Sequence, residues 1–98
     1  MLYSKMLGTG SYLPEKILTN FDLEKIVETT NEWIVQRTGI HKRHIAADHE
    51  SSLSMSEHAA RNALDAAKLT PEDLGMIIVA TTTPQKTFPS TACLLQER

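Results

Sequence analysis

The chain has 98 residues, enough for one small domain with a single core but short for an independent α/β enzyme. Its formal net charge of -2, with hydrophobic residues at 41% and charged residues at 22%, is ordinary globular composition and points to neither a nucleic-acid binder nor a disordered tail. One cysteine excludes a disulfide framework, and four scattered histidines have no spacing suited to a metal, so a reducing, cytoplasmic setting is expected.

Met1 to Met6 carries Ser4 and Lys5 and no apolar run, which reads as neither a signal peptide nor a membrane span. Tyr3 to Leu7 is expected to form a short strand, left through a tight loop at Gly8-Thr9-Gly10 and Leu13-Pro14. The loop falls short of a dinucleotide fingerprint, because position 13 is leucine and a proline follows where a helix should open. Thr19 and Asn20 offer capping side chains for a helix through Leu23, Ile26 and Val27, with Asp22 and Glu24 in the turn where the macrodipole favours acids.

A second short helix follows, with Thr29 and Glu32 as its expected capping box and Gly39 as its expected stop. Trp33 and Arg37 stand at i and i+4 on one face, with Thr38 after them. A flat aromatic beside a planar cation can stack a nucleotide base and hold a phosphate. The alternative is that Trp33 is half-buried core, covered by the aliphatic stem of Arg37. Ile40 to Ala46 reads as extended, and the acid-free cluster Arg37, His41, Lys42, Arg43 and His44 is either a site for a phosphate-rich or acidic partner or a solvated basic face.

Ser51 to Leu69 carries the longest helical pattern, with Met55, Ala59, Ala63 and Ala67 in one stripe and Glu57, Arg61 and Asp65 in another; His58 reads as a surface histidine. Thr70-Pro71-Glu72-Asp73 reads as a capped helical turn leading into Met76-Ile77-Ile78-Val79-Ala80. That run is apolar on both faces, the mark of a strand in a parallel sheet covered by helices, so the expected class is α/β. Ligands in such sheets gather beyond the strand ends, here at Thr81 to Pro84 and Phe88. Ser90 then caps a last helix that shows no stop signal, and the whole reads as a domain interrupted rather than completed.

In order along the chain stand Gly8 to Pro14, Leu18-Thr19-Asn20, Asp22-Leu23-Glu24, Glu32 to Val35, Arg37 to Ile40, Arg43 to Ala47 and Phe88 to Cys93. Together they resemble the amino-terminal part of β-ketoacyl-acyl carrier protein synthase III. The resemblance implies a layered αβαβα thiolase-like fold, with residues 1–98 forming the leading part of one such domain and ending before the catalytic cysteine segment. It also implies a homodimer that condenses malonyl-acyl carrier protein with an acyl-CoA starter, decarboxylating the malonyl group, at the opening of fatty-acid synthesis. Coenzyme A enters as a substrate thioester; no separate cofactor, metal, nucleic acid or membrane partner is implied.

Carried over by position, the resemblance puts coenzyme A contacts on Trp33, stacked against adenine, and on Arg37, flanking the other side of the base or holding phosphate. Thr29 and Thr38 are nearby candidates, and for Trp33 and Arg37 the functional reading then leads. Phe88 matches a position at the dimer interface that closes the neighbouring subunit's acyl pocket; otherwise it is an aromatic plug in its own core. No catalytic residue of the family falls within the chain: Cys93 matches a structural helical position, expected to be buried and unreactive, and the histidines match none. The segment alone is therefore expected to be inactive. The alternatives are a related thiolase-fold enzyme, such as a 3-hydroxy-3-methylglutaryl-CoA or quinolone-type synthase, or a non-catalytic module derived from the fold.

Overall fold

A computed structural model describes all 98 residues, and their contacts fall into two compact units, one of Leu13–His49 and one that joins Met1–Tyr12 to Glu50–Arg98. In the first unit, strand β1 (Lys16–Thr19) pairs antiparallel with β2 (Lys42–Ile45), Lys16 opposite Ile45 and Thr19 opposite Lys42. Helices α1 (Asn20–Glu24) and α2 (Asn31–Thr38) lie between them in sequence. Thr19 starts α1: its hydroxyl accepts the Asp22 amide at 3.2 Å, and the Asp22 carboxylate takes the Thr19 N–H at 3.0 Å and the hydroxyl at 2.9 Å. These bonds to Thr19, the backbone one foremost, hold the Asp22 carboxyl below its ordinary value of 3.8. The expected continuation through Val27 does not form. Ile26 and Val27 are 69% and 53% exposed, and a β-branched pair with no surface to bury against gives a helix little reason to extend.

The unit is held by one buried amide rather than by an apolar core. Asn20 is fully buried: its Nδ2 donates to Asn31 Oδ1 at 2.9 Å and to the Ile40 carbonyl at 2.7 Å, its Oδ1 accepts Arg43 at 2.9 Å, and its own N–H reaches the His41 carbonyl at 3.2 Å. Arg43 also reaches the Leu18 carbonyl at 3.4 Å, and His44 Nδ1 lies 2.6 Å from the Pro14 carbonyl oxygen. Two members of the expected basic cluster are thus spent on structure.

The second unit is built on α3 (Ser52–Ala67), capped reciprocally by Ser51 and Ser54 and closed by Lys68 in the left-handed conformation. The segment around Gly8 and Gly10 lies against the alanine stripe of α3; a Cβ on Gly10 would stand 2.3 Å from Ala59 O and from Ala63 N. The Gly-x-Gly spacing therefore serves close packing of chain on helix. Tyr12 stacks on His58 with ring centroids 5.0 Å apart and donates its hydroxyl to Glu50. A 3-10 turn (Pro71–Asp73) has proline at its start as expected, and α4 (Thr91–Glu97) is capped by Ser90, whose hydroxyl accepts the Cys93 amide at 3.2 Å. Glu57 pairs with Arg61 on its own helix at 3.1 Å and with Arg98, the residue that ends α4, at 3.3 Å.

Three expectations are corrected. Neither Tyr3 to Leu7 nor Met76 to Ala80 belongs to a ladder; the hydrogen-bonded sheet is the β1–β2 pair, and β1 lies in a stretch for which no strand was expected. A strand exists only with a neighbour, and Met76 and Ile78 stand 78% and 83% exposed while Ile77 and Val79 are half-covered, a period of two without pairing partners. Clefts of about 800 and 480 Å³ lie along this run and α4. Cys93 is exposed, not buried: its neighbours Ala92, Leu94 and Leu95 are half-covered, but the thiol stands on the uncovered side of α4. Ile34 and Pro14 are buried in the first unit and Leu53 in the second. No helix is long and apolar enough to cross a membrane.

Candidate coenzyme-binding face on the second helix

Helix α2 is fixed at both ends by side-chain chemistry. The cap is Thr30, one residue later than expected: its hydroxyl accepts the Trp33 amide at 3.2 Å, and the Glu24 carboxylate accepts the Asn31 amide at 3.0 Å. Adjacent threonines offer the same hydroxyl, and Glu24, distant in sequence, takes the role expected of Glu32. Thr29 is left half-buried just before the cap. At the other end Gly39 has φ of +73° and donates to the Val35 carbonyl at 2.8 Å, the left-handed stop expected of it.

Between these ends the helix buries Ile34, 8% exposed, and turns Trp33 and Arg37 outward. Trp33 is 54% exposed and is no part of the core of this segment. The Arg37 guanidinium carbon lies 5.4 Å from the centre of the indole, a cation–π contact between the residues singled out by spacing. Such a pair at the surface contributes about 0.5–1 kcal/mol, whereas burying an isoleucine contributes about 1.5–3 kcal/mol. Ile34, with the caps, therefore holds the helix, and the Trp33–Arg37 pair is free to serve a ligand. At 5.4 Å there is no room for a base between ring and guanidinium, so a base stacked on the indole would take the face away from Arg37.

Arg37 is in the last turn, where the macrodipole is negative, so an anion here would be held by the guanidinium and not by the helix end. His41 and Lys42 follow α2 directly and are exposed. The Thr38 hydroxyl donates to the Ile34 carbonyl at 2.7 Å and accepts the Ile40 amide at 3.0 Å. Its one proton is spent, and it can offer a ligand only a lone pair, which a phosphate does not take. In the other unit, Phe88 is 86% exposed in the loop before α4. Cys93 makes no side-chain hydrogen bond, and no cluster of its kind with histidine or acids could hold a metal.

No family model matches the chain. It is 59% identical over its whole length to β-ketoacyl-[acyl-carrier-protein] synthase III of Thioalkalivibrio sulfidiphilus, of which it covers 30%. The crystal structure of 3-oxoacyl-[acyl-carrier-protein] synthase III from Aquifex aeolicus superimposes with a TM-score of 0.88 at 59% identity, over 95% of this chain and 30% of that one. The priming β-ketosynthase of the R1128 polyketide pathway follows with a TM-score of 0.87 at 32% identity, over 95% of this chain and 28% of that one. The chain thus spans under a third of the length of the proteins it matches, and within that span its α/β fold is a part of theirs. On identity along its whole length and superposition over nearly all of it, the chain is a homologue of a part of the β-ketoacyl-[acyl-carrier-protein] synthases III.

Proposed function

We propose that residues 1–98 are the coenzyme A-recognising, amino-terminal segment of a longer β-ketoacyl-acyl carrier protein synthase III. The complete enzyme is a cytoplasmic homodimer that takes the acyl group from acetyl-CoA and condenses it with malonyl-acyl carrier protein, losing carbon dioxide. The observation that carries this reading is the exposed Trp33 with Arg37 over one face. The indole face away from Arg37 stacks the adenine, and the guanidinium edge, five N–H donors in a planar fork, binds phosphate. Thr29 is the nearby hydroxyl whose proton no observed bond consumes, and Thr38 supports the helix end.

The segment has no chemistry of its own. Acyl transfer needs a thiolate paired with a base, and decarboxylation needs donors for the developing enolate; Cys93 is an exposed free thiol, and no histidine lines the cleft beside it. The exposed surface is 8187 Å², against about 5,600 Å² for a folded monomer of 10.9 kDa, and the excess fits a segment that further polypeptide covers. Phe88 belongs to that surface and is assigned to the acyl pocket at the dimer interface. A thiolase-fold enzyme with another acceptor has weaker support, since identity falls to 32% at the priming ketosynthase.

The test is steady-state kinetics of the complete synthase with Trp33→Ala and Arg37→Ala. Each should raise the KM for acetyl-CoA, by loss of stacking worth about 1–3 kcal/mol and of a charge-assisted contact worth about 1.5–3 kcal/mol, while the KM for malonyl-acyl carrier protein stays put. Unchanged acetyl-CoA constants in both variants would remove coenzyme A from this face.

A further inference from the structure

Trp33 and Arg37 can receive a ligand only if α2 is held at a fixed place and rotation, and the helix makes few apolar contacts that could do this. Ile34 is its one buried side chain. Beside that residue and the caps, one carboxamide reaches both ends of the helix. Asn20 Nδ2 donates to Asn31 Oδ1, at the first residue of α2, and also to the carbonyl of Ile40, the residue after the Gly39 stop. The same side chain's Oδ1 accepts Arg43 of β2, and its backbone N–H bonds the His41 carbonyl. We infer that Asn20 is the positioning residue of the coenzyme-binding face, one buried amide that ties both ends of α2 to the β1–β2 ribbon and so sets where the indole and guanidinium stand.

The chemistry explains why this residue and no other fits. An amide offers two donors and two lone pairs in one plane, and all of the contacts here use that planar set. Aspartate has the same shape but no donor: it keeps the bond from Arg43, sets an oxygen against the Ile40 carbonyl, and holds Asn31 only if that amide turns over to donate. Leucine fills the volume and satisfies none of the three partners, leaving the Ile40 carbonyl without its donor and Arg43 with only the longer bond to the Leu18 carbonyl. Asn20 touches no ligand; it acts through α2. Both ends are involved, so its loss does not merely fray one terminus but frees the helix to rotate. A rotation of a few tens of degrees about the helix axis moves a side chain tip by several ångström, enough to break stacking and a phosphate contact together.

This inference rests on the coenzyme A reading of Trp33 and Arg37, and the experiment separates the two. Asn20→Asp, Asn31→Ala, Trp33→Ala and the double variant Asn20→Asp with Trp33→Ala are made in the complete synthase, with Leu53→Ala in α3 as a control that destabilises without touching α2. Dissociation constants for coenzyme A are measured by calorimetry beside kcat, KM and the melting temperature. Asn20→Asp should weaken coenzyme A about tenfold and raise the acetyl-CoA KM to match, with kcat nearly unchanged. Asn31→Ala, which deletes one of the two ties, should weaken it about threefold. Leu53→Ala should lower the melting temperature and leave the affinity alone. In the double variant the Asn20 effect should largely vanish, because the ring it positions is gone. If Trp33→Ala weakens coenzyme A while Asn20→Asp and Asn31→Ala bind it like the wild type, Asn20 is only structural and the inference is overturned. If Trp33→Ala itself binds normally, the reading of the face fails first. Should Asn20→Asp not fold, Asn31→Ala against Leu53→Ala decides alone.

Discussion

Replacing Gly10 by alanine should be among the most damaging single-methyl changes in the chain. The added Cβ would stand 2.3 Å from Ala59 O, 2.3 Å from Ala63 N and 2.9 Å from Ala63 Cα. All three are backbone atoms inside α3, so no side chain can swing away, and either the segment or the helix must retreat by about an ångström to reach ordinary contact. Retreat strains the Asn62 Nδ2 bond to the Ser11 carbonyl, 3.0 Å, and the stacking of Tyr12 on His58. Overpacking of this kind costs about 1–3 kcal/mol, and with the loosened neighbours the upper end is expected. In the complete synthase, where 1 kcal/mol moves a melting temperature by about 2–4 °C in a domain of 150–250 residues, the drop should be about 6–12 °C. Two glycines calibrate the result. A Cβ on Gly39 meets nothing, but its φ of +73° makes alanine cost about 1–2 kcal/mol. Gly75 has neither a close neighbour nor a positive φ, so alanine there should change stability by less than about 0.5 kcal/mol. Scanning fluorimetry of the three variants should rank them Gly10, Gly39, Gly75 in descending damage. A Gly10→Ala protein as stable as Gly75→Ala would refute the close-packing account of the Gly-x-Gly segment.

The remaining expectations are narrower. Asp22 has its carboxyl lowered by the bonds to Thr19, so the cap's contribution is complete above the ordinary value of 3.8 and is lost as pH falls below it through the lowered value; Asp22→Asn should be less stable than the wild type at neutral pH and converge on it in acid, as followed by urea titrations at a series of pH values. Thr38→Val should loosen the end of α2 by about 1 kcal/mol through the lost bond to Ile34, with the coenzyme A constant within about twofold of wild type by calorimetry. Exchange of Phe88 for a smaller or larger side chain should alter the preferred starter-acyl length, read from relative kcat/KM across acyl-CoA thioesters, and an unchanged profile would remove it from the acyl pocket.

What could be read in the sequence was what acts over a few residues. Ser51, Ser90, Pro71 and Gly39 each mark an element boundary within four residues of themselves, and each stands where it was expected. Pairing is different, because the partner of a strand lies elsewhere in the chain: β1 and β2 are joined across Lys16 and Ile45, and nothing local to Lys16-Ile17-Leu18-Thr19 announces this. The same holds for Asn20, which looked like one more capping side chain. Its partners Asn31, Ile40 and Arg43 are 11, 20 and 23 positions away. At the site, the i and i+4 spacing of Trp33 and Arg37 was visible, but whether they faced core or solvent depended on Ile34 taking the buried position between them. Cys93 misled for a related reason, since apolar neighbours in sequence do not bury a thiol unless something packs over the helix.

The central claim is that adenine lies on the indole of Trp33, and nuclear Overhauser contacts in the complete synthase, with its tryptophan selectively protonated and coenzyme A bound, test it most directly. The account predicts cross-peaks between the Trp33 indole protons and the adenine H2 and H8 protons, absent in Trp33→Phe. Contacts of adenine protons with other residues and none with the indole would contradict it.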